Sequence, residues 1–357
     1  MPLTESALEA HGARLLARKS EWGITRIADI TQLDWIGIPV ATAFRPAGRT
    51  LSVAQGKGKT RQQAQLSALL EAVEFASAEN LRPDLLGVRA SDLDLPYDLL
   101  DIASPTTSLL SPQAPLDWVH GQTVRGNLPV TIPYDRTRVF SEDTPGWRPP
   151  FVHSDSTGLA AGFDRPWALD HAMLEILERS ATRAATLHPD QVLDLDLSSV
   201  ASGWCTDFIE RFIKQEGFVS VRYLPSADGI HTFKAAVWSE DFPCMAIGVA
   251  SDRSKEKALS ACLAEAAQSR LTAISGVRDD LPDIYAPMRT GLAGKPLPAA
   301  VQVPWSDLPD DSPSGEDDTS FLIRTLTEPT GQEPVFRVLH EDPDLVVVRV
   351  IGFGFYS

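Results

Sequence analysis

The sequence is poor in cysteine, in positive charge and in long apolar runs. Its three cysteines, Cys205, Cys244 and Cys262, show no paired spacing, which argues against a disulfide framework or a structural zinc site. The longest apolar runs, such as 244–250, are far too short to span a membrane. The opening MPLTESALEAHGARLLARK is charged throughout and lacks the apolar stretch of a signal peptide. A soluble protein of the reducing cytoplasm is therefore expected.

Acidic residues outnumber basic ones. The 357 residues include 48 Asp and Glu against 32 Lys and Arg, which gives a formal net charge of −16. Such a surface repels nucleic acid backbones and anionic membranes, so binding to either is not expected. A content of 43% hydrophobic and 22% charged residues is typical of a folded globular protein.

The apolar pattern predicts helices and strands that are mixed without strict alternation. Helices are expected over 4–19, 62–79, 166–187, 207–215 and 254–275, and strands within 24–43 and over 130–134, 232–238 and 244–250. The acidic stretch 303–318, rich in proline and serine, is interpreted as a solvated loop or linker, and two closing strands are expected within 334–353. We therefore expect an α+β fold rather than a doubly wound sheet, in a single domain over 1–357.

Three of the predicted helices share one spacing. In each, an alanine lies seven residues before a glutamate, and a glutamate or glutamine follows three residues later. The triplets are Ala64, Glu71 and Glu74; Ala168, Glu175 and Glu178; and Ala258, Glu265 and Gln268. Because spacings of three, four and seven share a helical face, the polar groups of each helix are expected together, and Ser67 joins the first face.

The carboxylates on these faces stand among apolar residues, which indicates partial burial. Close buried carboxylates repel each other and need a proton, a cation or a metal ion. Magnesium fits, because it takes oxygen ligands and bridges to phosphates. The predicted magnesium ligands are Glu71, Glu74, Glu175 and Glu178. A bound nucleotide would also explain the cluster of Lys57, Lys59 and Arg61 beside the first helix. Two alternatives are water-facing glutamates and an internal duplication with a purely structural role.

Four segments carry a resemblance to a known family. They read ITRIADITQLDWIGIPV at 24–40, GKGKTRQQAQLSALLEAVE at 56–74, STGLAAGFDRPWALDHAMLEILERSA at 156–181 and ALSACLAEAAQSRLTAISGVRDD at 258–280. In this order they resemble the YcaO family. The resemblance implies a YcaO-like fold with mixed or antiparallel sheets, and an enzyme that uses ATP and Mg²⁺ to activate backbone amides of a peptide.

The resemblance also implies which residues bind the cofactors. Nucleotide contacts fall on Lys57, Lys59, Ser67, Glu71, Arg179, Glu265, Gln268, Arg270 and Arg278, and metal contacts on the four glutamates of the first two helices. On an ideal helix Arg270 points away from Gln268, which favours a surface or cap role. Arg278 has a local pair with Asp279 or Asp280 as its alternative. Either His153 or His171 could serve as a base, and a solvated or structural histidine is the alternative for each.

Departures from the family pattern indicate a branch. Azoline-forming members usually end in a proline-rich tail, whereas this chain has no proline after Pro343. Phe75 stands where many members have arginine, and Thr157 stands where many have asparagine. Both features resemble YcaO proteins that work beside a TfuA protein, which implies thioamide formation in a precursor peptide.

The short stretch before residue 24 leaves no room for a leader-binding domain, so a TfuA-like or leader-binding partner is expected. Azoline or azole formation and a non-catalytic scaffold are the alternatives. A homodimer is the default expectation for a soluble enzyme.

Overall fold

Three antiparallel sheets and the helices packed on them make up the part of the chain that the computed structural model describes, residues 5–102, 110–139, 155–278, 299–311 and 315–355. The helices are α1 Glu5–Ala17, α2 Arg61–Glu79, α3 Tyr134–Thr137, α4 Arg165–Leu187, α5 Gly203–Lys214, α6 Lys255–Ser275 and α7 Asp318–Thr327. The strands are β1 Arg26–Asp29, β2 Val40–Phe44, β3 Val53–Lys57, β4 Leu85–Arg89, β5 Pro115–Thr123, β6 Pro129–Pro133, β7 Leu159–Gly162, β8 Leu193–Asp194, β9 Phe218–Tyr223, β10 His231–Ser239, β11 Phe242–Asp252, β12 Val335–Glu341 and β13 Val346–Ile351. The α+β fold class is confirmed.

Each sheet supports one of the three helices that carry the repeated spacing. Strands β1, β2 and β3 form the first sheet, on which α2 packs, and the order β11–β10–β9–β8 forms the second, on which α6 packs. The third sheet runs β4–β5–β12–β13–β7 with β6 on β5, and α4 packs on β7 and β13. The alanines of the three triplets are all buried in these interfaces. The polar end of each spacing is therefore held at a fixed place beside a strand.

Glycine allows two of these strands to approach their helices closely. A Cβ atom added at Gly56 of β3 would overlap the backbone of Ala64 and Ala68 on α2. A Cβ atom at Gly248 of β11 would overlap the backbone of Cys262 and Ala266 on α6. The two strand–helix pairs therefore repeat the same close contact.

The stretch 303–318 is only partly the solvated loop that its composition predicts. Val303 pairs with Leu195 in a parallel bridge, and Leu308 is buried. The Trp305 ring stacks on Phe233 with centroids 5.8 Å apart. The apolar residues of this acidic stretch therefore bury against the second sheet. At its end, the carboxylate of Asp317 caps the first turn of α7, a helix that the sequence pattern did not predict.

The thiols of the three cysteines are free, and those of Cys205 and Cys262 are buried. Within the described ranges, none of the helices is long and apolar enough to cross a membrane.

A buried ion pair fixes the end of α2 and makes stability depend on pH. The Glu79 carboxylate accepts hydrogen bonds from Arg45, at 2.7 Å from Nη1, and from the backbone N–H of Thr50 at 2.9 Å. Burial raises the pKa of Glu79, but these hydrogen bonds outweigh it and lower that pKa from 4.5 to about 2. The stabilisation is therefore complete above the unfolded pKa and is lost as the pH falls toward the folded one.

We expect the free energy of unfolding to fall by about 2 kcal/mol between pH 6 and pH 3 through Glu79 alone. Urea unfolding of the wild type and of Glu79→Gln at several pH values measures this, because the variant lacks the titrating group. Glu210→Gln, an exposed change on α5, is the matched control. The same pH dependence in wild type and Glu79→Gln would contradict the prediction.

Candidate functional site

A cavity of about 770 Å³ lies where α2, α4 and α6 face one another. Its charged and amide lining includes Lys57, Glu71, Glu74, Arg179, Glu265, Gln268 and Arg278, with Ser67 and His171 beside them. The faces of three helices that are far apart in sequence thus meet around one space. Leu66, Leu70, Phe163 and Trp167 form an apolar part of the wall.

Backbone N–H groups hold three of the carboxylates in place. Glu71 Oε2 accepts from the N–H of Gln55 at 2.8 Å, and Glu74 Oε1 accepts from the N–H of Ala161 at 2.8 Å. Glu175 Oε2 accepts from the N–H of Gly158 at 3.0 Å. The donors belong to β3, to β7 and to the loop before β7. The strands therefore orient the glutamates of the helices.

Burial makes this a site where negative charge is costly. Desolvation and mutual repulsion raise the pKa of Glu74 well above its ordinary value, and desolvation also raises the pKa of Glu71 and of Glu175. Desolvation together with the charge of Glu265 raises the pKa of Glu178 to about 8. A bound cation would lower these values, because it compensates the carboxylates.

Cationic side chains stand among the carboxylates. Lys57 Nζ lies 2.9 Å from Glu265 Oε2, which joins β3 to α6 across the cavity. Arg179, which lines the cavity, lies 3.5 Å from Glu175 and 3.9 Å from Glu178, so these two glutamates of α4 stand directly behind it. Such an alternation of charges suits a ligand that carries phosphates together with a metal ion.

Arg278 adds a further positive charge to the lining. It is near enough to Glu71 to lower the pKa of that carboxyl against its burial. The residue follows the end of α6, so the end of that helix and the middle of α2 meet at the cavity.

The donor set fits magnesium bound together with phosphates better than magnesium alone. Within the described ranges, no three acidic, histidine or cysteine side chains converge to hold a metal ion. The physical reason is that Glu71, Glu74 and Glu175 are each turned toward a backbone N–H. Magnesium commonly takes one or two carboxylates and completes its shell with phosphates and water.

The assignment of Arg270 to the nucleotide needs correction. Its side chain is 1% exposed and lies on the far side of α6, 2.8 Å from Asp34 and 2.7 Å from the hydroxyl of Ser239. It is therefore a buried structural residue, and neither a nucleotide contact nor a surface residue. Lys59 also lies outside the cavity lining, with an exposed side chain. His153, Asp279 and Asp280 fall outside the described residues.

The sequence pattern did not reveal Arg349, which supports the site from behind. This fully buried residue of β13 donates to the carbonyl oxygen of Asp155 at 2.8 Å. Asp155 Oδ1 accepts from the N–H of Thr157, and the next N–H, of Gly158, binds Glu175. Arg349 therefore holds the loop that orients a carboxylate. Its one signal in the sequence is a lone arginine within the apolar run VVVRVIGFG.

The chain belongs to the YcaO family. Residues 55–354 match the family model described as YcaO cyclodehydratase, ATP- and Mg²⁺-binding. The match covers the three helices that line the cavity.

Relatives of known sequence support the same membership. The chain is 36% identical over 262 residues to an uncharacterized protein of Mycobacterium tuberculosis, which covers 73% of this chain and 60% of that protein. It is 31% identical over 370 residues to an uncharacterized protein of Methanothermobacter thermautotrophicus, covering 97% and 92%. It is 32% identical over 286 residues to an uncharacterized protein in the tfuA 3′ region of Rhizobium leguminosarum bv. trifolii, covering 74% and 66%. The chain thus spans 60% of the length of its mycobacterial relative.

Solved structures confirm the YcaO-like fold. YcaO from Methanopyrus kandleri bound with AMPPCP and Mg²⁺ aligns with a TM-score of 0.73 at 22% identity, over 97% of this chain and 91% of that one. A heterocyclase in complex with substrate and cofactor aligns with a TM-score of 0.75 at 17% identity, over 97% and 52%. The microcin synthetase McbBCD complex of E. coli aligns with a TM-score of 0.65 at 13% identity, over 91% and 87%. At these identities the likeness establishes the fold alone.

Proposed function

We propose that this protein uses ATP and Mg²⁺ to activate a backbone amide of a ribosomally made peptide, so that sulfur replaces the carbonyl oxygen. A TfuA-like protein is its proposed partner. The observation that carries the proposal is the cavity in and around which buried carboxylates with raised pKa values alternate with Lys57, Arg179 and Arg278. A purely structural duplication would not require such costly charges to gather at a shared open space.

The residues of the cavity and its rim divide into two proposed groups. Glu71, Glu74, Glu175 and Glu178 would hold the metal ion, which when bound neutralises phosphate charge and aligns the phosphates. The proposed phosphate and nucleotide contacts are Lys57, Ser67, Arg179, Glu265, Gln268 and Arg278. Phosphoryl transfer needs positioning and charge neutralisation more than a reactive side chain, and these residues can supply both.

The proposed reaction exchanges one atom of the peptide. Hydrosulfide adds to the amide carbon, and the former carbonyl oxygen attacks the γ-phosphorus of ATP with release of ADP. The C–O bond then breaks, phosphate leaves with its electron pair, and loss of the sulfur-bound proton completes the C=S bond. The sum is amide, hydrosulfide and ATP giving thioamide, ADP and phosphate.

Two observations favour sulfur insertion. A relative that is 32% identical is described as lying in the tfuA 3′ region. Phe75 and Thr157 depart from the family pattern in the manner of TfuA-associated members. The family description as a cyclodehydratase keeps azoline formation as the second candidate, in which water is lost instead.

A gene deletion separates these functions even while the peptide substrate is unidentified. We expect mass spectrometry of the source organism to find a peptide that exchanges one oxygen for sulfur in the wild type and not in the deletion strain. Complementation with the wild-type gene restores the exchange, and complementation with Glu71→Ala does not. A peptide that differs by one water would support azoline formation instead. No difference between the strains would contradict both, and would favour the scaffold.

A further inference from the structure

His171 of α4 differs from the other titratable side chains of the cavity. Lys57 pairs with Glu265, Arg179 pairs with Glu175, and backbone N–H groups hold Glu71 and Glu74. Arg278 also has a partner. Among the titratable side chains that line the cavity within the described ranges, His171 alone makes neither a hydrogen bond nor an ion pair. Its ring is free to receive a proton from a ligand.

The position of His171 on its helix places it beside the proposed metal ligands. It precedes Glu175 by four residues and Glu178 by seven, so one face of α4 carries all three side chains. One helical turn is about 5.4 Å, which is the separation expected between a base and an ion-bound phosphate on neighbouring turns. The side chain is exposed, and its open side is the cavity.

The surroundings of His171 favour the neutral ring. Enclosure by protein lowers its pKa from 6.5, Asp252 at the end of β11 opposes this, and Lys57 on β3 adds to it. The other charged groups in and around the cavity are Glu71 and Glu74 on α2, Glu175, Glu178 and Arg179 on α4, Glu265 on α6 and Arg278 after it. At neutral pH the imidazole is therefore in the form that accepts a proton.

The proposed reaction requires such a group, because the attacking sulfur brings a proton that must leave before the C=S bond is complete. The carboxylates are committed to backbone donors or to cations, and Glu265 raises the pKa of Lys57 against the effect of burial, so that Lys57 stays protonated. Resting on the proposed function, we propose that His171 is the base that takes the proton of the hydrosulfide as the thioamide forms. The S–H bond breaks, its electron pair forms the second C–S bond as phosphate leaves, and the imidazolium returns the proton to water on the open side.

The first test measures the ring itself and needs no peptide. Carbon-13-labelled histidine gives one NMR signal for each of the 7 histidines, and the signal missing from His171→Gln identifies the ring. We expect its titration midpoint below 6.5 in the free protein and about one unit higher with Mg²⁺ and AMPPCP, because the added phosphates favour imidazolium. The exposed His120 of β5 is the internal control and should not move. A His171 midpoint that AMPPCP leaves unchanged would overturn the proposal.

The second test uses the unmodified peptide recovered from the deletion strain, with sodium sulfide and ATP. We expect His171→Gln to lower kcat about 100-fold and to leave the KM for ATP within about 3-fold, as for loss of a general base. The rise of kcat with pH that ends below 6.5 in the wild type should be absent from the variant, and imidazole should partly rescue His171→Ala. His120→Gln is the matched control.

The outcomes separate the two proposals. A higher KM with unchanged kcat in His171→Gln would show a binding role and overturn the assignment as base, and so would wild-type rates at every pH. Both results leave the proposed function intact. Absence of a sulfur-containing product from the wild type would overturn the proposed function, and this role with it.

Discussion

Glu178→Gln is expected to lower the affinity for Mg²⁺ and ATP by about 100-fold or more, since loss of a group that merely supports a metal ligand already costs 10- to 100-fold. The same change should abolish ATP turnover. Glu71→Ala should give the same loss from the α2 side of the cavity. Calorimetric titration of ATP with Mg²⁺ into each purified protein measures the effect.

The fold should survive the change at Glu178. Burial and the charge of Glu265 already raise the pKa of this carboxyl to about 8, so an uncharged amide of the same shape removes a repulsive charge. Thermal unfolding should therefore show a melting temperature at or above that of the wild type. Glu210→Gln on α5 is the control, with an exposed carboxylate exchanged outside the cavity. Full nucleotide affinity in Glu178→Gln and in Glu71→Ala would refute the assignment of the cavity to a metal-bound nucleotide.

Gly56→Ala is expected to destabilise the protein by about 3 kcal/mol or more. The new Cβ atom would overlap backbone atoms of Ala64 and Ala68, which cannot move aside as a flexible side chain would. Strand β3 must then shift from α2, and Gln55 and Lys57 on either side of the glycine shift with it. Because Gln55 orients Glu71 and Lys57 pairs with Glu265, nucleotide binding should fail together with stability.

Gly203→Ala provides the matched comparison. This glycine is the first residue of α5, and an added Cβ atom there meets no atom within 4 Å. We expect the free energy of unfolding to stay the same or to rise by up to about 1 kcal/mol, because alanine is the better helix former. Urea unfolding measures both variants. A wild-type unfolding midpoint for Gly56→Ala would show that the strand and the helix are not in such tight contact.

The long helices could be predicted because their information is local. Residues three, four and seven apart share a face whatever the rest of the chain does, so the triplets of α2, α4 and α6 were readable from the sequence. The strands and α7 were less accessible. Strands β8 and β9 are short or half-buried, and α7 follows an acidic stretch whose composition resembles a loop. Short elements take their stability from tertiary packing, which local patterns do not report.

The candidate site shows the same division. Most of the residues singled out on the three helices line the cavity, because a shared face delivers them together. Arg270 lies on the same helix as Gln268 but on its far side, where Asp34 binds it. Arg349 escaped notice because its partner, Asp155, is distant in sequence. A long-range hydrogen bond leaves no spacing that a single sequence could reveal.

By itself the sequence determined the helices, the residue types on their inner faces and the family to which they point, because helical periodicity and motif order are properties of the chain alone. Only the tertiary structure decided which faces meet, which backbone N–H groups orient Glu71, Glu74 and Glu175, and that His171, within the described part of the chain, is left without a hydrogen-bonding partner. These depend on distances between segments that the chain brings together only on folding. The charge of a carboxylate is written in the sequence, but its pKa is set by the burial and the neighbours that the fold provides.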